Sequence, residues 1–222
     1  MRPTAVLRLR RAVIEVERKF SCGPKSKDIF CFNRGSPSFD YVENIGQSVF
    51  EDQYFDYRQQ LSTNGVWVRR REGIWQAKVR TDRTNSTYTN SRFEELSEPS
   101  EILKQVQRFV PGVRFLPTEK DGSDVRLCGL EVMARYTTYR DTWRLNKEFE
   151  VVLDRTDFGH WVGEVELQRD VEVDEDEKKA LVQRQAVSAG MDREVRAFME
   201  RYQWAFPVNR PVGKLSAYFA KS

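Results

Sequence analysis

The sequence predicts an α+β protein in which antiparallel strands can curl into a barrel and helices pack on the outside. Three observations carry this expectation: two runs of segments alternate with a period of two, each run is followed by residues at helical spacing, and no linker divides the 222 residues. A single domain over 1–222 follows, with its core at about 14–220.

Taken in order, Ile14–Phe20 sets Ile14, Val16, Arg18 and Phe20 on one face and Glu15, Glu17 and Lys19 on the other. Residues 21–48 are rich in Gly, Pro, Ser and Asn and read as irregular, with one short helix near Tyr41–Ile45. Strands over Gln53–Tyr57, Val66–Arg71, Trp75–Arg80 and Ser91–Leu96 form a meander, with Glu72-Gly73 as a tight turn. Glu98-Pro99-Ser100-Glu101 opens a helix whose Ile102, Leu103, Val106 and Phe109 share a face, and Pro111-Gly112 stops it. A second meander uses Glu131–Tyr136, Thr138–Leu145, Lys147–Asp154 and Val162–Gln168. Helices follow over Asp174–Ala189, with Gly190 as a stop, then Asp192–Gln203 and Lys214–Ala220.

Composition narrows the function classes. With 39% apolar and 12% aromatic residues the chain can bury a sizeable core, which excludes disorder as a description of the whole. Lys and Arg number 37 against 34 Asp and Glu, so no bulk positive field is available and no nucleic-acid partner is expected. No apolar run approaches the roughly 18 residues of a membrane span, so no membrane partner is expected either. A cytoplasmic monomer is the expectation. Cys22, Cys31 and Cys128 are odd in number and lack Cys-x-x-Cys spacing, which argues against a disulfide framework and a structural zinc.

The charged strand faces are the chemical signal. Like charges recur at i and i+2 in several strands, about 7 Å apart, where they repel unless an oppositely charged ligand compensates. If the strands close into a solvent-holding barrel, the acids Glu15, Glu17, Glu164 and Glu166 and the bases Arg69, Arg71, Lys78 and Arg140 line one lumen. Carboxylate clusters hold hard cations such as Mg²⁺ or Mn²⁺, and Arg matches phosphate through its planar fork. Metal beside bound polyphosphate points to phosphoryl transfer.

At these residues the chain resembles a known family. Glu15-Val16-Glu17-Arg18-Lys19-Phe20 resembles the Glu-x-Glu-x-Lys signature of the CYTH superfamily, the triphosphate tunnel metalloenzymes. It is joined in order by Trp67 through Glu72, Trp75 through Lys78, Glu94-Glu95-Leu96, Arg140 with Trp143, Asp157-Phe158-Gly159, Val162 through Glu166, and Lys214-Leu215. Tyr54-Phe55-Asp56, Trp67 and Gly213-Lys214-Leu215 are most similar to the animal-type thiamine triphosphatase branch. The resemblance implies an eight-stranded antiparallel tunnel that binds a small-molecule triphosphate through Lys19, Arg69, Arg71, Lys78, Arg140 and Lys214. It implies Mg²⁺, with Mn²⁺ as the alternative, on Glu15, Glu17, Glu164 and Glu166. Tyr54, Lys78 and Glu95 are implied at the catalytic centre, and Trp67 against the thiamine moiety. Where the family usually carries a metal-binding Asp, this chain has Val152, and Asp154 and Glu150 on the same face are the candidate substitute ligands.

The resulting expectation is a metal-dependent hydrolase converting thiamine triphosphate to thiamine diphosphate and phosphate. The alternatives are a less specific inorganic or nucleoside triphosphatase, a non-catalytic polyphosphate-binding tunnel, which Val152 favours, and, more remotely, an adenylate cyclase. Other features have plainer readings: His160 as a surface residue, Met191 and Met199 as packing, Trp75 and Trp143 buried under helices, and Asp157-Phe158-Gly159 as no kinase motif, since no glycine-rich loop accompanies it.

Overall fold

A sheet that is charged on one face and apolar on the other must hide its apolar face under other elements. In the computed structural model, which describes residues 9–81, 90–117, 125–207 and 209–221, the sheet does so by closing on itself with the charged face inward. The elements are β1 (Leu9–Phe20), α1 (Lys27–Phe32), β2 (Val42–Asp56), β3 (Val66–Arg71), β4 (Ile74–Arg80), β5 (Asn90–Leu96), α2 (Pro99–Gln107), β6 (Arg114–Pro117), β7 (Val125–Cys128), β8 (Glu131–Leu145), β9 (Phe149–Thr156), β10 (Trp161–Asp174), α3 (Glu177–Arg201) and α4 (Lys214–Lys221). Eight strands form an antiparallel ring in the order β1-β10-β9-β8-β2-β3-β4-β5, closed by pairing β1 with β5 from Val13↔Glu95 to Arg18↔Asn90. β6 and β7 make a separate hairpin.

The apolar faces point outward into two cores. Ile14, Val16, Trp143, Leu145, Val151, Leu153, Val165 and Leu167 pack under Met191, Val195, Phe198 and Met199 of α3 and under Phe30 of α1. On the other side Val66, Val68, Trp75 and Ala77 pack under Ile102 and Val106 of α2. Trp75 and Trp143 therefore lie where period-two reading puts them, outside the ring and under helices.

α3 also spans the closing seam. Asp192 accepts from Arg18 Nε of β1 at 2.9 Å and from Arg92 Nη2 of β5 at 3.4 Å. Glu94 of β5 accepts from Arg10 of β1 at 3.2 Å and from Arg184 of α3 at 3.3 Å.

Three sequence expectations are corrected. Tyr41–Ile45 is not helical: Val42–Ile45 opens β2, whose length is set by pairing with β8 from Val42↔Leu145 to Asp56↔Glu131, and the short helix of this region lies earlier, at Lys27–Phe32. Glu131–Tyr136 and Thr138–Leu145 are one strand for the same reason. Gly190 does not end a helix, because α3 runs through it. The penalty of about 1 kcal/mol for a mid-helix glycine is outweighed by burying Met191, Val195 and Phe198 against the ring. Among the described residues no helix is long and apolar enough to cross a membrane.

Gly163 of β10 is where packing forbids a side chain. A Cβ there would lie 2.2 Å from the Phe20 ring, which is 1% exposed and cannot move aside. Gly163→Ala is expected to destabilise the protein by about 1–3 kcal/mol, read as a lowered Tm in a thermal melt.

Candidate active site

Most lumen strands repeat one sign of charge, and the balancing charge comes from neighbouring strands and, on β1, from Lys19 beside Glu17. β1 offers Glu15 and Glu17, and Lys78 of β4 donates to both, to Glu17 Oε2 at 3.3 Å, while standing 3.5 Å from Glu95 of β5. Lys19 donates to Glu17 and lies 3.6 Å from Glu164 of β10. Arg71 of β3 forks onto Asp52 of β2 with two bonds of 2.8 Å, and Arg69 donates to Gln76 Oε1 at 2.9 Å. Arg140 of β8 forks onto Asp154 of β9 at 2.7 and 2.8 Å, and Lys214, leading α4, donates to Asp154 and to Glu164 at 3.1 Å. The like-charge repulsion expected from the sequence is thus offset across the strands.

These groups line a cavity of about 480 Å³. All six expected triphosphate contacts, Lys19, Arg69, Arg71, Lys78, Arg140 and Lys214, face it, as do Glu15, Glu17, Glu95, Glu164, Glu166, Tyr54 and Trp67. Asp154 does not serve as expected. It is fully buried with both oxygens taken by Arg140, and Lys214 adds a third donor, so its charge neutralises cations and is not offered to a metal. Val152 lies in register with Thr142 and Glu164, fully buried yet outside the apolar clusters, as its lumen-facing parity requires.

Among the described residues, Glu17, Glu164 and Glu166 bring one carboxylate oxygen each within 4.8 Å of one another. Three converging hard oxygen donors fit Mg²⁺ or Mn²⁺. Glu15 stands outside this trio, engaged by Lys78.

The electrostatics divide the acids. Burial favours the neutral form of every one, but the ammonium groups of Lys19 and Lys78 override it at Glu17 and hold that carboxyl down at about 2. Lys214, Lys19 and Arg140 likewise override burial at Glu164, well below the ordinary range. At Glu166 burial prevails over Arg140, and the charge of Glu164 adds to it, so its carboxyl is pushed up to about 7. Glu15 is raised too, by burial ahead of the pull of Lys78 and the push of Glu95. At Lys78, Arg140 and Lys214 burial alone would lower the pKa, but the facing carboxylates raise it.

An aromatic group lies beside this charged zone. Tyr54 stacks on Tyr136 at 5.8 Å, Tyr136 meets Phe158 and Tyr218, and Trp67 and Leu215 pack against the group. His160 Nε2 lies 2.7 Å from the Val212 carbonyl oxygen, a tie between the β9–β10 turn and the approach to α4. Gln76 and Arg80, which line the cavity, were missed from the sequence as site residues, although both share the strand face of Lys78. Asp52, two residues before Tyr54 on the same strand face, is fully buried against Arg71 and is not part of the lining.

No family model matches the chain. Human thiamine-triphosphatase is 28% identical to it over 166 residues, 70% of this chain and 68% of that protein. Solved structures similar to this chain include a protein of Pyrococcus horikoshii OT3, with a TM-score of 0.49 and 14% identity over 94% of this chain and 99% of its own. Another is a Hippeastrum protein reported with a dominant triphosphatase activity, with a TM-score of 0.45 and 14% identity over 95% and 96%.

The raised Glu166 carboxyl predicts a pH effect. Its folded pKa lies above the unfolded value, so its contribution is fully present below the unfolded pKa and is lost as pH rises through about 7. Glu166→Gln is therefore expected to stabilise chelator-treated protein at pH 8 by on the order of 2 kcal/mol, read as a raised Tm, and to leave it nearly unchanged at pH 5. Melts of both proteins at the two pH values check this.

Proposed function

We propose that this protein is a divalent-metal-dependent hydrolase of the CYTH type that removes the terminal phosphate of thiamine triphosphate, giving thiamine diphosphate and phosphate. The observation that carries the reading is one cavity in which Lys19, Arg69, Arg71, Lys78, Arg140 and Lys214 face the carboxylate trio Glu17, Glu164 and Glu166. The similarity to human thiamine-triphosphatase supports the choice of substrate.

The chain's own groups account for binding and positioning. A triphosphate offers the lumen cations acceptors that substitute for the carboxylates they now hold, so binding exchanges one set of charge-assisted bonds for another and leaves no buried cation unpaired. Arg69, donating to Gln76 rather than forking onto an acid, is the guanidinium most readily released to phosphate. Glu95, accepting from Gln168 at 2.9 Å, keeps the Lys78 ammonium directed into the cavity. Tyr54 lies where the charged and aromatic zones meet, beside the proposed reaction centre. A divalent ion on Glu17, Glu164 and Glu166 would supply polarised phosphate oxygens and a more acidic water. Charge neutralisation and alignment are what phosphoryl transfer requires of a protein.

Hydrolysis measured with thiamine triphosphate, inorganic triphosphate and ATP, each with Mg²⁺ and Mn²⁺, tests the reading. Metal-dependent phosphate release from thiamine triphosphate is expected, and binding without any release would leave a non-catalytic tunnel instead. Arg69→Ala is expected to weaken binding of a non-hydrolysable triphosphate about 10–100-fold by calorimetry, the loss of one or two charge-assisted bonds. Lys78→Ala is expected to do the same and also to lower the Tm, because it leaves Glu15, Glu17 and Glu95 without their shared cation. Val152→Asp restores an anionic oxygen beside Glu164 and is expected to lower the metal concentration giving half-maximal activity. Loss of activity in that variant would place the metal elsewhere.

A further inference from the structure

Arg80 is a cation of the tunnel that neither the triphosphate clamp nor the carboxylate trio uses. It is the last residue of β4, two positions beyond Lys78 and on the same lumen face, and it lines the cavity. Its backbone N–H donates to the Gly65 carbonyl at 2.8 Å, and in β5 it stands opposite Phe93. Its guanidinium carbon lies 4.9 Å from the centroid of the Trp67 ring, and Phe93 meets that ring edge-on at 5.6 Å and 79°. Gly65 leaves room for this arrangement. Its φ is +76°, and a Cβ there would come within 3.1 Å of the Arg80 Cβ, so a side chain would press on the arginine stem.

We propose that Arg80 is a specificity-determining residue that narrows, without removing, the tunnel's preference for triphosphates bearing a cationic ring over inorganic triphosphate. This rests on the proposed hydrolase reading. Trp67 and Lys78 are direct register partners, so a ligand whose phosphates reach Lys78 lies beside the Trp67 ring, and an organic end placed on that ring meets Arg80 as well. An indole attracts cations through its electron-rich face, and here a guanidinium already draws on that density. A second cation at the ring meets a weakened quadrupole and the direct repulsion of a like charge a few ångströms away. A neutral ligand end meets neither. A bare triphosphate does not reach for the ring, and Arg80 adds positive potential that favours it.

The experiment compares kcat/KM for thiamine triphosphate with that for inorganic triphosphate in the wild type, Arg80→Gln, Arg80→Lys and the double variant Trp67→Ala with Arg80→Gln. Arg80→Gln is expected to raise the ratio in favour of thiamine triphosphate about tenfold, the size of one cation–π contact regained and one repulsion removed. Arg80→Lys, which keeps the charge, is expected to stay within about twofold of the wild type, and the gain is expected to vanish when Trp67 is absent. An unchanged ratio in Arg80→Gln overturns the proposal, as does an equal gain in Arg80→Lys or a gain that persists without Trp67. If the wild type hydrolyses neither compound, the hydrolase reading fails by itself. The ratio of dissociation constants from calorimetry with the same two triphosphates then decides the Arg80 proposal by the same criteria.

Discussion

The structure depends on one constraint: a ring of strands whose interior is ionic must balance its charge, and it does so chiefly between strands. Period-two alternation puts mostly one sign on each lumen face, Lys19 beside Glu17 on β1 being the exception, and balance comes from other strands: β1 acids against Lys78 of β4, Asp52 of β2 against Arg71 of β3, Asp154 of β9 against Arg140 of β8. With those pairs made, the lumen can remain buried and ionic. The apolar residues then have only the outside of the ring to occupy, which is why α2 and α3 lie there and why two cores exist where an ordinary small barrel has one inside.

The same balance readies the cavity for a polyanion. Each cation is already held in place by carboxylates and desolvated, so much of the cost of ordering long side chains is met before any ligand arrives. Asymmetry among the acids matters equally. Glu17 and Glu164 are surrounded by cations and stay ionised, whereas Glu166 shares their neighbourhood with less compensation.

The ring and most of its lining were legible in the sequence, for a physical reason. Strand parity is local, so Glu15, Glu17 and Lys19, or Trp67, Arg69 and Arg71, can be assigned to one face from a handful of residues. Long-range effects were not legible. The reach of β2 back to Val42 comes from pairing with β8, and the continuity of α3 through Gly190 comes from packing on the ring. Asp154 shares the parity of a metal ligand, but its role was decided by Lys214, which lies 60 residues away in sequence. The stacking of Arg80 on Trp67 depends on the space left by Gly65, and no spacing rule encodes that.

The seam between β1 and β5 gives the chain a temporal order. Those strands are held together partly by each other and partly by Asp192 and Arg184, which arrive on α3 nearly a hundred residues after β5. During synthesis from the N-terminus, β1 through β5 emerge as an open sheet with one bare edge on either side, and β1 must also wait for its other neighbour, β10. Until β8 and β10 are made, β2 and β1 are strands seeking partners. The nascent chain is therefore exposed to edge-to-edge association until late in its translation, and the ring closes when β10 pairs with β1.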